Sequence, residues 1–354
     1  MSGGTRAPTR VSGRRPAPRG GDPRLAWAVA AVLALACAAL AAVLVLDDDE
    51  PRGAAGPAGE AAAPALEPGG RIVGFPVRVD DAPSAVTVGA KNVWVVHEGS
   101  GTLARVDPKR NEMVGPPVQV GGRPRYVVIA GQALWVSSFD ANTVTAVRPG
   151  SRTVSARIRV GRSPWGIAQA PGAIWVVNHD DDTIQQISIT TARLVGSPIE
   201  VGEGPVNASL GYDSIWVTNS QDDTVSRVDL RSRTVIETIP VGDHPEGLTT
   251  GSGGVWVANL EDDTVSRIDP AKNRVVATIR VGNRPLHLKA VGGSVWVPNS
   301  GDGTLSVIDS ARNKVVEAPV AIGRSVERVG TGSDAIWATS ATEDTITRVE
   351  PAPR

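Results

Sequence analysis

The sequence is poor in the residues that crosslink or catalyse in most proteins. Its 354 residues include a single cysteine, Cys37, so an internal disulfide is excluded and packing must hold the fold. Histidine occurs four times, and phenylalanine and tyrosine twice each. The formal net charge is −1, which gives no general attraction to nucleic acid or to an anionic membrane. The motifs Gly-x-Ser-x-Gly and His-Glu-x-x-His and a phosphate-binding glycine loop are absent, so no common catalytic signature is present.

One long uncharged run interrupts the amino-terminal part of the chain. Residues 1–24 contain six arginines among Pro, Gly and Ser and are predicted to be a disordered basic tail in the cytoplasm. Residues 25–46 carry no charge and, as a helix, could cross a bilayer. Four acidic residues follow at once, and this charge asymmetry predicts a cytoplasmic amino terminus. Residues 47–70, rich in Ala, Pro and Gly, are predicted to be a linker.

Two other interpretations of the uncharged run stay open. A cleaved signal peptide has a shorter apolar core than this one. A lipoprotein would be modified at Cys37, which follows Ala34-Leu35-Ala36, but nine more apolar residues come after Cys37 and favour an uncleaved anchor. All three interpretations export the rest of the chain. We therefore predict a single-pass protein of the cell membrane with its folded domain outside the cytoplasm.

From residue 71 the chain repeats a unit of about 40 residues. Seven tryptophans mark the units, at steps of 40 or 41 residues: Trp94, Trp135, Trp175, Trp216, Trp256, Trp296 and Trp337. Apolar and polar residues alternate with period 2 in the segments between Gly-rich and Asp-Pro turns. This pattern indicates four strands per unit, here named A to D. Four strands in about 40 residues are typical of a propeller blade. We predict an all-β, seven-bladed β-propeller over residues 71–354, with the repeated tryptophans packed between blades.

The seventh unit lacks its strand D. The sequence stops after strand C, at residues 346–350, whereas residues 71–79 match strand D of another unit at residues 194–201. We predict that the first strand of the domain completes the last blade. Such closure removes the open ends that a linear array of repeats would have to cap.

The repeats resemble the YVTN-repeat β-propeller family over residues 71–354. Trp216-Val217-Thr218-Asn219 differs from the Tyr-Val-Thr-Asn motif only at its first residue, and close variants begin at Trp175, Trp256 and Trp296. The resemblance implies a seven-bladed ring but not an activity, because one fold supports many functions.

A more distant similarity connects the repeats to the streptogramin lyases, which are also seven-bladed. That similarity implies a histidine base and magnesium, for which His244 with Glu246, or His287, would be the candidates. The repeats depart from that family, however, because their strands read Trp-Val-x-Asn where the lyases have Trp-Phe-Thr-Glu.

Several polar residues recur at one place in each unit, which favours a structural role. The Asp-Asp-Thr segments, as at Asp182, Asp223, Asp263 and Asp344, lack the alternating oxygen ligands of a calcium loop and suit tight turns. An asparagine ends most B strands, and His97 takes its place in the first unit.

The loops that join strand D to the next strand A carry the variable residues. In propellers of this type they lie around the mouth of the central channel, together with the B–C loops. The two residues after the loop proline differ from unit to unit, and in the seventh unit Val326 replaces the proline. They are Ser84-Ala85, Arg125-Tyr126, Trp165-Gly166, Val206-Asn207, Glu246-Gly247, Leu286-His287 and Glu327-Arg328. Such variation is expected if these residues shape a site, and equally if nothing constrains them.

We select ten residues near this mouth as candidate ligand-binding residues: His97, Arg125, Tyr126, Trp165, His179, His244, Glu246, Arg284, His287 and Arg328. Arginines cluster at four of the junctions and acidic residues at the other three, and arginine recognises carboxylate or phosphate through paired hydrogen bonds. An anionic ligand or an extracellular protein is therefore the predicted partner. A mixed soluble surface is the alternative explanation.

The four histidines lack metal-ligand spacing, so no metal site or cofactor is predicted. We predict a non-enzymatic ligand- or protein-binding scaffold or sensor. The alternative is a metal-dependent lyase or hydrolase with a site at the channel mouth. Single-stranded nucleic acid could stack on Trp165 and Tyr126, but export and the near-neutral charge make such a partner unlikely.

Overall fold

A computed structural model describes residues 70–89, 91–316, 318–332 and 335–351. The chain divides into two units, Met1–Gly56 and Pro57–Arg354, and all the described residues belong to the second. The predicted tail, membrane anchor and most of the linker lie outside the described residues. Among the residues that are described, no helix has the length and apolar character needed to span a membrane.

The described residues form seven antiparallel sheets, which are the blades of a propeller. The chain begins with β1 (Gly70–Ile72) and β2 (Val77–Arg78). Blade 1 contains β3 (Pro83–Val88), β4 (Val93–His97), β5 (Thr102–Asp107), β6 (Glu112–Met113) and β7 (Val118–Gln119). Blade 2 contains β8 (Pro124–Ala130), β9 (Ala133–Ser138), β10 (Thr143–Arg148) and β11 (Thr153–Arg159). Blade 3 contains β12 (Pro164–Ala170), β13 (Ala173–Asn178), a short 3-10 helix (His179–Asp181), β14 (Thr183–Ser188) and β15 (Arg193–Glu200).

The other four blades follow in chain order. Blade 4 contains β16 (Pro205–Gly211), β17 (Ser214–Asn219), β18 (Thr224–Asp229) and β19 (Thr234–Pro240). Blade 5 contains β20 (Pro245–Gly251), β21 (Gly254–Asn259), β22 (Thr264–Asp269) and β23 (Arg274–Arg280). Blade 6 contains β24 (Lys289–Val291), β25 (Ser294–Asn299), β26 (Thr304–Asp309), β27 (Lys314–Val315) and β28 (Val320–Ala321). Blade 7 contains β29 (Val326–Thr331), β30 (Ile336–Ser340) and β31 (Thr345–Pro351).

The first strand of each sheet is the innermost one. These strands contact one another around the ring, including β29 of blade 7 against β3 of blade 1, and together they line a central channel. The predicted all-β, seven-bladed propeller is therefore confirmed.

The two amino-terminal strands complete blade 7. Arg71 of β1 pairs with Glu350 of β31, and Val77 of β2 pairs with Ile346 of the same strand. Val77 is 5% exposed and packs in a core cluster with Trp337. The predicted closure is thus confirmed, and the ring is held by strand pairing and apolar packing.

The repeated tryptophans pack between neighbouring blades, as predicted. All seven are at most 2% exposed. Trp135 of blade 2 packs against Ile174 and Ile187 of blade 3, and Trp337 packs against Val93 of blade 1 across the closure. Burial of one such side chain contributes roughly 4–6 kcal/mol as an upper estimate.

In blades 4 and 5, an arginine on strand C contacts the following blade. Arg267 is paired across the strands with Trp256, and its guanidinium carbon lies 5.0 Å from the centre of that ring. Its Nη1 donates hydrogen bonds to the carbonyl oxygen of Ser310 (2.8 Å) and to Oδ1 of Asn313 (2.7 Å) in blade 6. Arg227 makes the equivalent contacts from blade 4 to blade 5. The arginine at this position of strand C therefore serves blade-to-blade packing in blades 4 and 5.

The Asp-Asp-Thr segments form turns, and they also hold the D–A loops in place. Asp223 has a φ of +55° in the B–C turn of blade 4, and its Oδ1 accepts a hydrogen bond of 2.9 Å from the backbone N–H of His244. Asp182, Asp263 and Asp344 have the same conformation and accept equivalent bonds. The carboxylates are thus used by backbone donors, which supports the turn interpretation over calcium binding.

Candidate functional site

A β-bulge at the start of strand A turns the residues after the loop proline toward the channel. In blade 3, Pro164 pairs with Asn178 and the next pair is Ile167 with Val176, so that Trp165 and Gly166 face a single residue. The same register shift occurs in blades 1, 2, 4, 5 and 7. A bulge re-aims side chains, and here it directs the variable residues inward. At Gly166 a Cβ atom would lie 2.7 Å from the carbonyl oxygen of Val206, which explains the glycine at this close approach of two blades.

These residues converge on one cavity of about 130 Å³ at the channel mouth. The first residue after the proline, or after Val326 in blade 7, contributes from all seven blades. The full lining consists of Ser84, Arg125, Trp165, Val206, Asn207, Glu246, Gly247, Leu286, His287, Glu327 and Arg328. The structure therefore brings five of the ten predicted site residues into the lining of a single cavity.

Arg125 is held between aromatic rings on one side of the cavity. Its guanidinium carbon lies 4.8 Å from the ring centre of Trp165 and 5.6 Å from that of Phe139. Its Nη1 donates a hydrogen bond of 2.7 Å to Oε2 of Glu98, whereas its Nε is buried without a partner among the described residues. Burial lowers the pKa of Arg125, and the carboxylate of Glu98 opposes that change. A guanidinium fixed on two rings is preorganised to receive a second anion.

Tyr126, His287 and Arg328 meet at the inner end of the cavity. Tyr126 Oη and His287 Nε2 lie 2.9 Å apart and are hydrogen-bonded, although the two residues belong to blades 2 and 6. The guanidinium carbon of Arg328 lies 4.7 Å from the Tyr126 ring centre. His287 is 5% exposed, and burial lowers its pKa well below the usual value, with the cations Arg328 and Lys289 adding to the effect. The imidazole is therefore neutral at physiological pH.

Carboxylates lie beside these cations. Burial raises the pKa of Glu327, although the neighbouring Arg328 guanidinium lowers it. Nε2 of His244 lies 3.4 Å from Oε1 of Glu246, and this contact raises the pKa of His244. Glu246 lines the cavity, whereas His244 precedes the proline and is not among the lining residues. The mouth thus carries a mixed charge, with acidic and basic groups side by side, as in Glu327 and Arg328 of blade 7.

Five predicted site residues lie outside the cavity lining: Tyr126 and His244, described above, and His97, Arg284 and His179. His97 is fully buried in blade 1, where its Nδ1 lies 2.9 Å from Oγ1 of Thr102. This bond replaces the one that Asn219 makes to Thr224 at the same point of blade 4. Arg284 is exposed and pairs with Glu261 at 2.8 Å.

His179 lies closer to the mouth than these two. Its ring centre is 5.2 Å from that of Trp165. Its Nδ1 is 3.1 Å from the carbonyl oxygen of Pro205, so it supports the wall of the cavity from behind.

Sequence reasoning overlooked residues from the B–C loops. Glu98 and Phe139 both contact Arg125, yet neither was among the candidates. Both follow the last residue of strand B, so comparing that position across the units would have found them. Three of the arginines clustered at the four junctions are engaged in ion pairs within the protein. Arg123, Arg162 and Arg284 pair with Glu98, Asp181 and Glu261 respectively.

The magnesium that the lyase similarity implies does not fit the residues described here. Within the described ranges, no three His, Cys, Asp or Glu side chains are grouped so that they could hold a metal ion. Of the carboxylates at the mouth, Glu246 contacts His244 and Glu98 pairs with Arg125, while burial raises the pKa of Glu327 and so disfavours its charged form. We therefore derive no reaction step through a metal at this site.

Solved structures with the same fold include two lyases. Virginiamycin B lyase from Staphylococcus aureus has 18% sequence identity and a TM-score of 0.69, with 79% of this chain and 99% of that chain covered. A streptogramin B lyase has 15% identity and a TM-score of 0.67, covering 79% and 96%. Hydrazine synthase from Kuenenia stuttgartiensis has 16% identity and a TM-score of 0.70, covering 77% and 97%. At these identities the likeness shows the fold alone.

Family comparison gives a more specific result. No curated protein matches the chain significantly. The model of the virginiamycin B lyase family matches residues 71–321, which is most of the propeller and most of the sequence. The predicted similarity to streptogramin lyase propellers is confirmed by this match, and the chain belongs to the virginiamycin B lyase family.

Proposed function

We propose that the protein is a non-enzymatic binding module that receives an acidic side chain of a protein or peptide partner at its channel mouth. The observation that carries this proposal is the convergence of residues from all seven blades on one cavity in which Arg125 and Arg328 are held on aromatic rings. Guanidinium groups bind carboxylates through paired, charge-assisted hydrogen bonds. Preorganisation on the rings lowers the entropy lost on binding.

The cavity is of a size to receive one side chain of a partner and is too small for a whole small-molecule ligand. About 130 Å³ is well below the roughly 300–1,000 Å³ typical of small-molecule pockets. It accommodates one polar group while the rest of the partner lies on the surrounding D–A and B–C loops. The exposed ion pairs there, such as Arg123 with Glu98, add polar contacts at the rim.

A labelled tetraglutamate peptide tests the proposal by fluorescence polarisation against the full-length chain in mild detergent. We expect the peptide to bind and Arg125→Gln to weaken binding about tenfold, which corresponds to about 1.4 kcal/mol. Arg284→Gln removes the same charge from an exposed residue outside the cavity lining, so it serves as the matched control. Absence of binding, or equal effects of the two variants, would overturn the proposal.

Location outside the cytoplasm is part of the same proposal. Its support is the uncharged run at residues 25–46, preceded by six arginines and followed by four acids. Alkaline phosphatase fused after residue 351 would be active in a bacterial host if the propeller is exported. An inactive fusion after residue 351, together with an active fusion of the same enzyme after residue 24, would contradict export.

A lyase is the second candidate function, favoured by family membership and by the contact of His244 with Glu246 beside the cavity. A histidine whose pKa is raised by a carboxylate can exchange protons near neutral pH. Quinupristin, which is bound in a structure of the Staphylococcus aureus enzyme, is a direct probe. Turnover followed by chromatography, lost in His244→Ala, would replace the binding-module proposal with a lyase.

A further inference from the structure

A second and wider cavity lies beyond the contact of Tyr126 with His287. It has a volume of about 900 Å³ and is lined by strand A residues of the blades around the channel. Glycines of the A–B turns, among them Gly89, Gly131 and Gly172, surround its outer end. Because D–A and A–B loops lie at opposite ends of strand A, this cavity opens on the face opposite the mouth.

The charge of this cavity has one sign. Its lining includes two cationic residues, Lys289 and Arg328, and no aspartate or glutamate among the described residues. Among the described residues neither cation forms an ion pair, although the neighbouring carboxylate of Glu327 interacts with Arg328 from outside this lining. Unpaired cations surrounded by low-dielectric walls produce a positive potential that concentrates anions.

The two cations lie near the same histidine. Lys289 is two residues from His287, and the backbone N–H of His287 donates a hydrogen bond of 3.4 Å to the carbonyl oxygen of Glu327, the residue before Arg328, so both cations lie near His287. Nδ1 of His287 is buried and has no hydrogen-bond partner among the described residues. Thr87, Thr249 and Thr331 line the same cavity, and a threonine hydroxyl can act as a hydrogen-bond donor.

We infer that the wide cavity binds a small multivalent oxyanion, bearing phosphate or carboxylate groups, between Lys289 and Arg328. A volume of about 900 Å³ falls within the range of small-molecule sites. Ammonium and guanidinium groups together with threonine hydroxyls suit oxygen anions, and the described lining contains no carboxylate that would repel a bound anion. This site adjoins the peptide site at the mouth, and the two sites share Arg328 and His287.

Calorimetric titration of the full-length chain in mild detergent tests the inference, with pyrophosphate as the phosphate probe and citrate as the carboxylate probe. Chloride keeps the ionic strength constant, because bulk screening would otherwise imitate specific binding. We expect at least one probe to bind and Lys289→Gln to weaken it about tenfold or more. The stronger probe identifies the class of anion.

Two control variants locate the bound anion. Lys314→Gln removes the same charge from an exposed residue on the outer strand of the same blade, so it should leave binding unchanged. Arg125 lies at the mouth and outside the wide cavity, so Arg125→Gln should also leave binding of the anion unchanged. Failure of both probes to bind, equal binding by Lys289→Gln and wild type, or a loss in Arg125→Gln alone would each overturn the inference. The outcomes of the tetraglutamate test remain distinguishable from these, because that test depends on Arg125, which lines only the mouth cavity.

Discussion

Tyr126 Oη and His287 Nε2 lie 2.9 Å apart across the channel, joining residues that are 161 positions apart in the sequence. Their rings meet edge to face, with centres 5.6 Å apart. The contact lies where the small cavity at the mouth and the wide cavity meet, because His287 lines both and Tyr126 lines the wide one. It is thus the physical boundary between the two proposed sites.

Removing this hydrogen bond should destabilise the propeller. Tyr126→Phe leaves Nε2 of His287 without a partner next to an already unpaired Nδ1, and we expect a loss of about 1–3 kcal/mol in the free energy of unfolding. Denaturant titration measures it. Tyr212→Phe is the matched control, because the Tyr212 hydroxyl makes only a long contact of 3.5 Å and its loss should cost little. Equal losses in the two variants would contradict the prediction.

His97 should make the protein less stable in acid. Burial lowers its pKa from 6.5 to about 4, so the unfolded chain binds a proton that the folded one excludes. The stabilisation is complete above about pH 6.5 and is lost as the pH falls toward 4. Between about pH 7 and pH 5 the loss from this residue is about 2 kcal/mol.

His97→Asn tests this assignment. Asparagine occupies the same position in blade 4, where Asn219 donates to Thr224, so the variant can keep the hydrogen bond to Thr102. We expect its free energy of unfolding to fall less than that of the wild type between about pH 7 and pH 5, by about 2 kcal/mol. His287 contributes equally to both proteins, so only the difference is compared. An unchanged pH dependence would count against a buried neutral His97.

The closing strand should contribute stability through Val77. Val77 is 5% exposed and packs with Trp337, so Val77→Ala should cost about 2 kcal/mol in thermal or chemical unfolding. Phe75, two residues earlier, is 87% exposed, and Phe75→Ala should change stability by less than about 0.5 kcal/mol. A larger effect at Phe75 than at Val77 would mean that the strand pairs differently.

Arg267 should stabilise the interface between blades 5 and 6. Arg267→Met keeps much of the packing on Trp256 but removes the donors to Ser310 and Asn313, and we expect a loss of about 1–3 kcal/mol. Arg274→Met changes an exposed residue on the outer strand of blade 5 and should be nearly neutral. Urea titration distinguishes them, and equal stabilities would show that the interblade bonds contribute nothing.

Much of the fold could be predicted because it depends on local periodicity. The alternation of apolar and polar residues within each unit defines strands, and the recurring tryptophans define the blade interval. The missing last strand was predictable by comparing residues 71–79 with other units. The structural role of His97 was less visible, although the repeat places it where other units have asparagine.

The sequence by itself determined the number of blades, their closure and the positions that face the channel mouth, because each follows from the repeat. Tertiary structure alone decided which of those positions meet. Residues on different blades have no fixed spacing, so neither the contact of Tyr126 with His287 nor the pairing of Arg125 with Glu98 could be derived from the repeat. The positive sign of the wide cavity likewise arises only when Lys289 and Arg328 are enclosed by uncharged strands, since their cationic charge is balanced over the chain as a whole.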